Sequence, residues 1–164
     1  MKVLDDKKIK QKISRLTMEI LEQNYLQKEI VLAGINNNGT HFASMLQEEI
    51  ERVSEVKVYL TTIRLNPAKP VTNEISIDFP AKELRHKVVV VVDDVANTGR
   101  TLFFAFQPLL EILPKKVQVA VLVDRKHKSF PVAVNYVGLS LATTLRENIR
   151  AELRDSENIG VFLE

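Results

Sequence analysis

Two adjacent carboxylates, Asp93 and Asp94, close the apolar run Val88 to Val92, and the chain continues "VANTGRTL". The pattern is an apolar strand that stops on acids and turns through Thr98, Gly99 and Thr101 into a helical stretch. It combines two kinds of chemistry. The acids accept hydrogen bonds from hydroxyls and suit hard cations. The loop brings backbone N–H groups to a helix start, adds two threonine hydroxyls, and holds a glycine that permits φ > 0 or close backbone approach. Those features suit an anion. A bare phosphate would be repelled by the acids, so a fitting ligand also carries hydroxyls or a metal, as a sugar phosphate does. Each residue alone is an ordinary strand end or helix cap, and the specificity lies in their coincidence at one strand end.

Other chemistries are less well supplied. Gly34 to Gly39, "GINNNG", has the glycine spacing of a Walker loop, but Thr40 and His41 stand where Lys and Ser or Thr are required. His41, His86 and His127 lie far apart, so no transition-metal site is expected. "RKHK", Arg125 to Lys128, is either a solvated basic loop or a contact for substrate, RNA or a neighbouring subunit.

The elements that must position these residues follow from periodicity. Ile9, Ile13, Leu16, Ile20 and Leu21 recur at helical spacing over 7–25, with Asp5 or Asp6 as cap. "EIVLAG" predicts a strand, and "THFASMLQEEIERV" a helix with its stripe on Phe42, Leu46, Ile50 and Val53. "KVYLTTIRL" alternates as a strand, "NPAKPVTN" predicts a mobile loop with nothing to bury, and "EISIDF" a short strand that completes an antiparallel flap. "KVVVVVD" and "KVQVAVLVD" are fully buried strands, separated by the helical "RTLFFAFQPLLEIL", in which Pro108 imposes a kink or an early end. "VAVNYVGLSL" and "IGVFLE" close the chain as strands. Buried β runs alternating with amphipathic helices predict an α/β fold, a mostly parallel sheet flanked by helices. Ligands of such sheets sit at the carboxyl ends of the strands.

With 164 residues and no internal repeat or linker, residues 1–164 are expected to form one domain. Apolar residues at 45% and charged residues at 27% are globular proportions. The absence of a signal-peptide pattern, a long apolar run and any cysteine predicts a cytoplasmic protein with no membrane partner. A net charge of +2 does not by itself indicate a nucleic-acid partner.

"VVVVVDDVANTGRTL" resembles the phosphoribosyl-pyrophosphate signature of the type I phosphoribosyltransferases. Within that family the chain is most similar to the bifunctional pyrimidine-operon attenuation regulators that are also uracil phosphoribosyltransferases. The likeness extends from "VLDDKKIKQKISRLTMEIL" through "VLAGINNNG" and "AVLVDRKHKSFPVAVNYVG" to "ENIGVFLE". It implies the single-domain fold of that family with a flexible flap, Mg²⁺ as cofactor, and displacement of pyrophosphate by a nucleobase nitrogen. Uracil is the expected base. The alternatives are a nucleotide-sensing, RNA-binding regulator with little catalysis, or transfer to a purine. A homo-oligomer is expected.

The resemblance also assigns residues. Asp93 and Asp94 would hold the ribose hydroxyls and, indirectly, Mg²⁺. Ala96, Asn97, Thr98, Gly99 and Thr101 would wrap the 5′-phosphate, and Ile35, Asn36, Asn37, Asn38 and Gly39 would form the pyrophosphate loop. Arg64 would act from the root of the catalytic flap, and Asp124 and Arg125 would read the base. The chain departs from the family in three places. Asn36 to Asn38 replace cationic loop residues, which implies slow turnover because neutral amides lack charge assistance. "LNPAKP" replaces paired acids after Arg64, leaving Lys69 as a substitute cation. Met18 replaces a histidine common in the RNA-binding segment. Lys115, Lys116, Arg125, Lys126 and Lys128 would favour RNA only by sharing a face.

Overall fold

The computed structural model describes residues 1–144, 146–155 and 157–164. In chain order the elements are β1 (Lys2–Asp5), α1 (Asp6–Gln23), β2 (Glu29–Ile35), α2 (Asn36–Val53), β3 (Lys57–Arg64), β4 (Ser76–Ile77), β5 (Val88–Ala96), α3 (Arg100–Ala105), β6 (Lys116–Arg125), β7 (Tyr136–Leu141), β8 (Ile149–Glu152) and β9 (Gly160–Leu163). Six strands form one sheet in the order β4-β3-β2-β5-β6-β7, parallel except for the β3–β4 hairpin. β1, β9 and β8 form a second, antiparallel sheet.

The valine run explains the centre of the larger sheet. β5 lies between β2 and β6, and Val88 to Val92 are at most 1% exposed. Side chains alternate across a strand. Val88, Val90 and Val92 accordingly pack with the apolar stripes of α1 and α2, while Val89 and Val91 pack with Leu102, Ala105 and Leu109 on the other face. The first face also takes in Leu4, Ile149, Leu153 and Val161, so the small sheet is stapled to the large one by a shared core.

Two expectations need correction, at the second helix and in the loop after β3, and one is met at the third helix. The second helix starts at Asn36, not Thr40, so the three asparagines form its first turn. Poor helix formers are overridden here by packing: a Cβ at Gly39 would lie 2.6 Å from the Val92 carbonyl oxygen, so only glycine lets this turn sit against β5. The third helix ends after six residues, and Pro108 occupies a separate 3₁₀ turn, Gln107–Leu109, which is the early end the proline imposes. The loop 66–73, expected to bury nothing, buries Pro70, while Leu65 and Ile75 on either side of it lie in the core. β1 and β8 were unanticipated, and "EISIDF" pairs only through Ser76 and Ile77. Asp5 is the cap of α1, accepting from the Lys8 N–H at 2.8 Å. Among the described residues no helix is long and apolar enough to cross a membrane.

Candidate active site

The paired acids stand inside β5, because pairing with β6 continues to Ala96 opposite Asp124. Asp93, expected at the mouth of the sheet, is only 8% exposed, and Asp94 is half-buried. The Asp94 N–H donates to Asp93 Oδ1 at 2.9 Å, and the Val95 N–H to Asp94 Oδ1 at 2.8 Å. Burial, reinforced by the neighbouring Asp94 carboxylate, pushes the Asp93 carboxyl well above its ordinary value. Neither acid forms an ion pair among the described residues.

Two adjoining cavities flank these acids. One, about 310 Å³, is lined by Asp93, Ala96, Asn97, Thr98, Gly99, Arg100 and Thr101. The other, about 370 Å³, is lined by Ile35, Asn36, Asn37, Asn38, Asp93, Asp94, Thr101 and Arg154. Asp93, Thr101 and Pro67 belong to both, so a ligand with an anion at each end would lie across the acids. Gly99 caps α3 with φ 86° and ψ −1°, a left-handed conformation that turns the loop into the helix. The short α3 carries little macrodipole, so the first cavity depends on loop N–H groups and hydroxyls. The eighteen-residue α2 has no side-chain cap, and its first turn lines the second cavity with N–H groups left open to an anion.

The remaining predicted residues are placed differently. Arg64 lines neither cavity; its Nε and Nη2 donate to the two Asp78 carboxylate oxygens at 3.1 and 2.8 Å. Gly39 lies behind the second cavity, against β5. Asp124 and Arg125 also line neither cavity. Asp124 pairs with Lys128 Nζ at 2.5 Å, and the same ammonium donates to the Asn97 carbonyl at 3.1 Å, joining the end of β6 to the Asn97–Thr101 loop. Lys128 is thus a contact residue, whereas Lys126 and His127 are exposed. Ser129 and Phe130 N–H groups both donate to the Thr98 carbonyl, and Phe130 packs against Phe103 and Phe104 of α3. Lys115 precedes β6, Lys116 opens it and Arg125 closes it, roughly 30 Å from Lys116 at strand rise, so the late basic residues do not make one patch.

The flap is held at its root. Asn36 Nδ2 donates to the Leu65 carbonyl at 2.9 Å, and its Oδ1 accepts from the Leu65 N–H at 3.1 Å, so this side chain is occupied. Asn36 itself is left-handed, with φ 51°. Arg100 donates to the Pro67 carbonyl at 2.7 Å. Lys69 lines neither cavity. Sequence reasoning missed Pro67 and Arg154, and no local pattern marks either as part of the site.

Two adjoining cavities thus meet across an acid pair of β5, beside a loop and a helix turn with open N–H groups, an arrangement that suits a ligand carrying both hydroxyls and anionic groups. Residues 2–152 match the phosphoribosyl transferase domain family, and the chain belongs to it. A protein of Alkaliphilus metalliredigens named "Bifunctional protein PyrR" is 34% identical, the alignment covering 99% of this chain and 93% of that protein. The "Pyrimidine operon regulatory protein" of Lactococcus lactis subsp. lactis is 32% identical, covering 94% and 91%. Among solved structures, a hypoxanthine-guanine phosphoribosyltransferase of Bacillus anthracis superposes with a TM-score of 0.78 at 20% identity, covering 100% of this chain and 96% of that one. The fold is that of the type I phosphoribosyltransferases, and the chain is a phosphoribosyltransferase.

Proposed function

We propose that the chain transfers the 5-phosphoribosyl group of phosphoribosyl pyrophosphate to a pyrimidine, uracil, releasing pyrophosphate. A ring nitrogen of the base forms a bond to the anomeric carbon and gives up its proton. The bond to pyrophosphate breaks, and its electron pair stays on the pyrophosphate oxygen. The observation that carries the reading is the continuity of two anion cradles across Asp93 and Thr101. The 5′-phosphate belongs with Asn97 to Thr101, the ribose hydroxyls with Asp93 and Asp94, and the pyrophosphate with the first turn of α2. Asp124 and Arg125, brought to the phosphate loop through Lys128, are the base-reading end. Arg64 acts only after leaving Asp78, so its part belongs to flap closure. Residues 1–164 work as one domain, in the cytoplasm.

Mg²⁺ fits this site. Two carboxylates without a protein cation are hard oxygen donors, and this ion is usually held by one or two carboxylates together with substrate oxygens. When bound, it neutralises diphosphate charge. Asp93 and Asp94 would hold it indirectly.

The pyrimidine rests on the relatives' names, since the purine-named structures are too distant in sequence to speak to the base. One of those names, a pyrimidine operon regulatory protein, favours a second role in regulating pyrimidine genes, with RNA as the partner to test. The test offers phosphoribosyl pyrophosphate with uracil, cytosine, hypoxanthine and guanine in turn, with and without Mg²⁺. Nucleoside monophosphate should form from uracil and require Mg²⁺. Transfer to a purine, or none to any base, contradicts the reading, and in the second case tight binding of a pyrimidine leader RNA would leave the regulatory role alone.

A further inference from the structure

We propose that Lys128 is a positioning residue of the Asn97–Thr101 loop: its ammonium holds the Asn97 carbonyl behind the loop, and so turns the Thr98 N–H toward a bound 5′-phosphate. The assignment rests on the transferase reading above. A cradle for an anion has its N–H groups on one side and its carbonyls on the other. In a planar trans peptide the carbonyl and the following N–H point in opposite directions, so whatever holds the carbonyls of the loop sets where its N–H groups point. The donors come from residues 128–130, which line neither cavity. Lys128 Nζ donates to the Asn97 carbonyl at 3.1 Å, and the Ser129 and Phe130 N–H groups donate to the Thr98 carbonyl at 3.0 and 3.1 Å. The Thr98 and Gly99 N–H groups therefore face away from that segment, toward the cavity their residues line, and donate to no backbone acceptor among the described residues.

Lys128 is the side chain in this set, whereas Ser129 and Phe130 contribute backbone groups that other residues would supply as well. Its ammonium has three donors, and all three are engaged, by Asp124 Oδ1 at 2.5 Å, by the Asn97 carbonyl and by the Arg125 carbonyl. The side chain is 21% exposed, and its stem runs directly behind the turn, since a Cβ on Gly99 would lie 3.4 Å from Lys128 Cδ. Asp124 neutralises the ammonium, so Lys128 serves the phosphate through the peptide it orients, not as a counter-ion. Without the ammonium the Asn97 carbonyl loses its donor, and the peptide between Asn97 and Thr98 is free to turn its oxygen toward the cavity. The diphosphate end, on the first turn of α2, is untouched by that change.

The test compares wild type with Lys128→Met and the charge-balanced double variant Lys128→Met/Asp124→Asn, with thermal melts to establish folding. Calorimetry measures ribose 5-phosphate and pyrophosphate with Mg²⁺ separately, and amide NMR follows the Thr98 and Gly99 N–H signals. Lys128→Met should weaken ribose 5-phosphate tenfold or more and leave pyrophosphate within twofold. Ribose 5-phosphate should move the Thr98 amide proton downfield in wild type and fail to do so in the variant, a difference that a general loss of stability would not produce. The double variant should stay as weak as Lys128→Met, because its Asn97 carbonyl is still unheld. Unchanged ribose 5-phosphate affinity in Lys128→Met, or equal weakening of both ligands, overturns the assignment and leaves the transferase reading standing. Recovery in the double variant also overturns it, because the loss then belongs to the unpaired Asp124 carboxylate. If ribose 5-phosphate moves neither amide in wild type, the transferase reading and this assignment fall together. If Lys128→Met does not fold, the double variant carries the same comparison, and failure of both to fold overturns the assignment by making Lys128 a support of the fold.

Discussion

Replacing Gly99 separates two reasons for a glycine in the Asn97–Thr101 loop. If a side chain there blocked the approach of the 5′-phosphate, every substitution would be severe. The geometry gives a different reason. A Cβ on Gly99 would point at Lys128 Cδ and the Phe130 carbonyl at 3.4 Å and at Val132 Cβ at 3.6 Å, ordinary contacts with the loop behind the cavity. The cost is conformational, since φ is 86°. An L-residue held in the left-handed region costs about 1–2 kcal/mol, and Ala recovers ~0.4–1 kcal/mol by restricting the unfolded chain. Gly99→Ala should therefore lower stability by about 1 kcal/mol, or let the loop flip and lose about fivefold to tenfold in affinity for uridine monophosphate. Asn tolerates the left-handed region and should be milder than Ala, whereas β-branched Val should be worst. Urea unfolding and calorimetry on the three variants read both quantities. Asn and Val equally damaging, or Ala indistinguishable from wild type in both assays, would refute the conformational argument.

Three further outcomes are expected. Asp93→Asn should raise the melting temperature of the unliganded protein at alkaline pH while weakening ribose-phosphate binding. The raised carboxyl makes the native state bind more protons than the unfolded one, so wild-type stability falls as pH rises from the ordinary carboxylate value, 3.8, through the raised one. The variant's advantage should shrink on acidification, and a constant disadvantage across pH would contradict this. Asn36→Lys should not accelerate turnover, because it breaks both bonds to Leu65 and frees the flap root; a steady-state rate above wild type would count against that. Gly39→Ala should cost about 1–3 kcal/mol in chemical denaturation, because its Cβ must displace the β5 backbone at Val92; an unchanged midpoint would show that the turn shifts freely.

The central strands were readable because burial on both faces demands continuous Val, Ile and Leu, as in β5 and β6, and the β3–β4 flap because its strands alternate around a proline-rich turn. The small sheet was not. "KVLD" and "IRAE" are four-residue strands with few apolar positions, and they exist only because β9 pairs with both. The start of α2 was hidden by three asparagines whose helical state is decided by Gly39 packing and the Asn36–Leu65 pairing, neither of them local. The early end of the third helix was legible from Pro108, although the apolar spacing of "RTLFFAFQPLLEIL" runs on past it. In the site, the two loops were legible as motifs, but Arg154 lay beyond the reach of any spacing rule, and Arg64's engagement with Asp78 depends on the register of β3 against β4.

The most direct measurement is a crystal structure of the protein with phosphoribosyl pyrophosphate and Mg²⁺, or with uridine monophosphate. The 5′-phosphate is predicted against Asn97 to Thr101, the ribose hydroxyls at Asp93 and Asp94, and the diphosphate at the first turn of α2 beside Arg154. A ligand bound elsewhere, such as the groove of about 770 Å³ between α1 and α2, or one whose phosphate avoids the Asn97–Thr101 loop, would contradict the account.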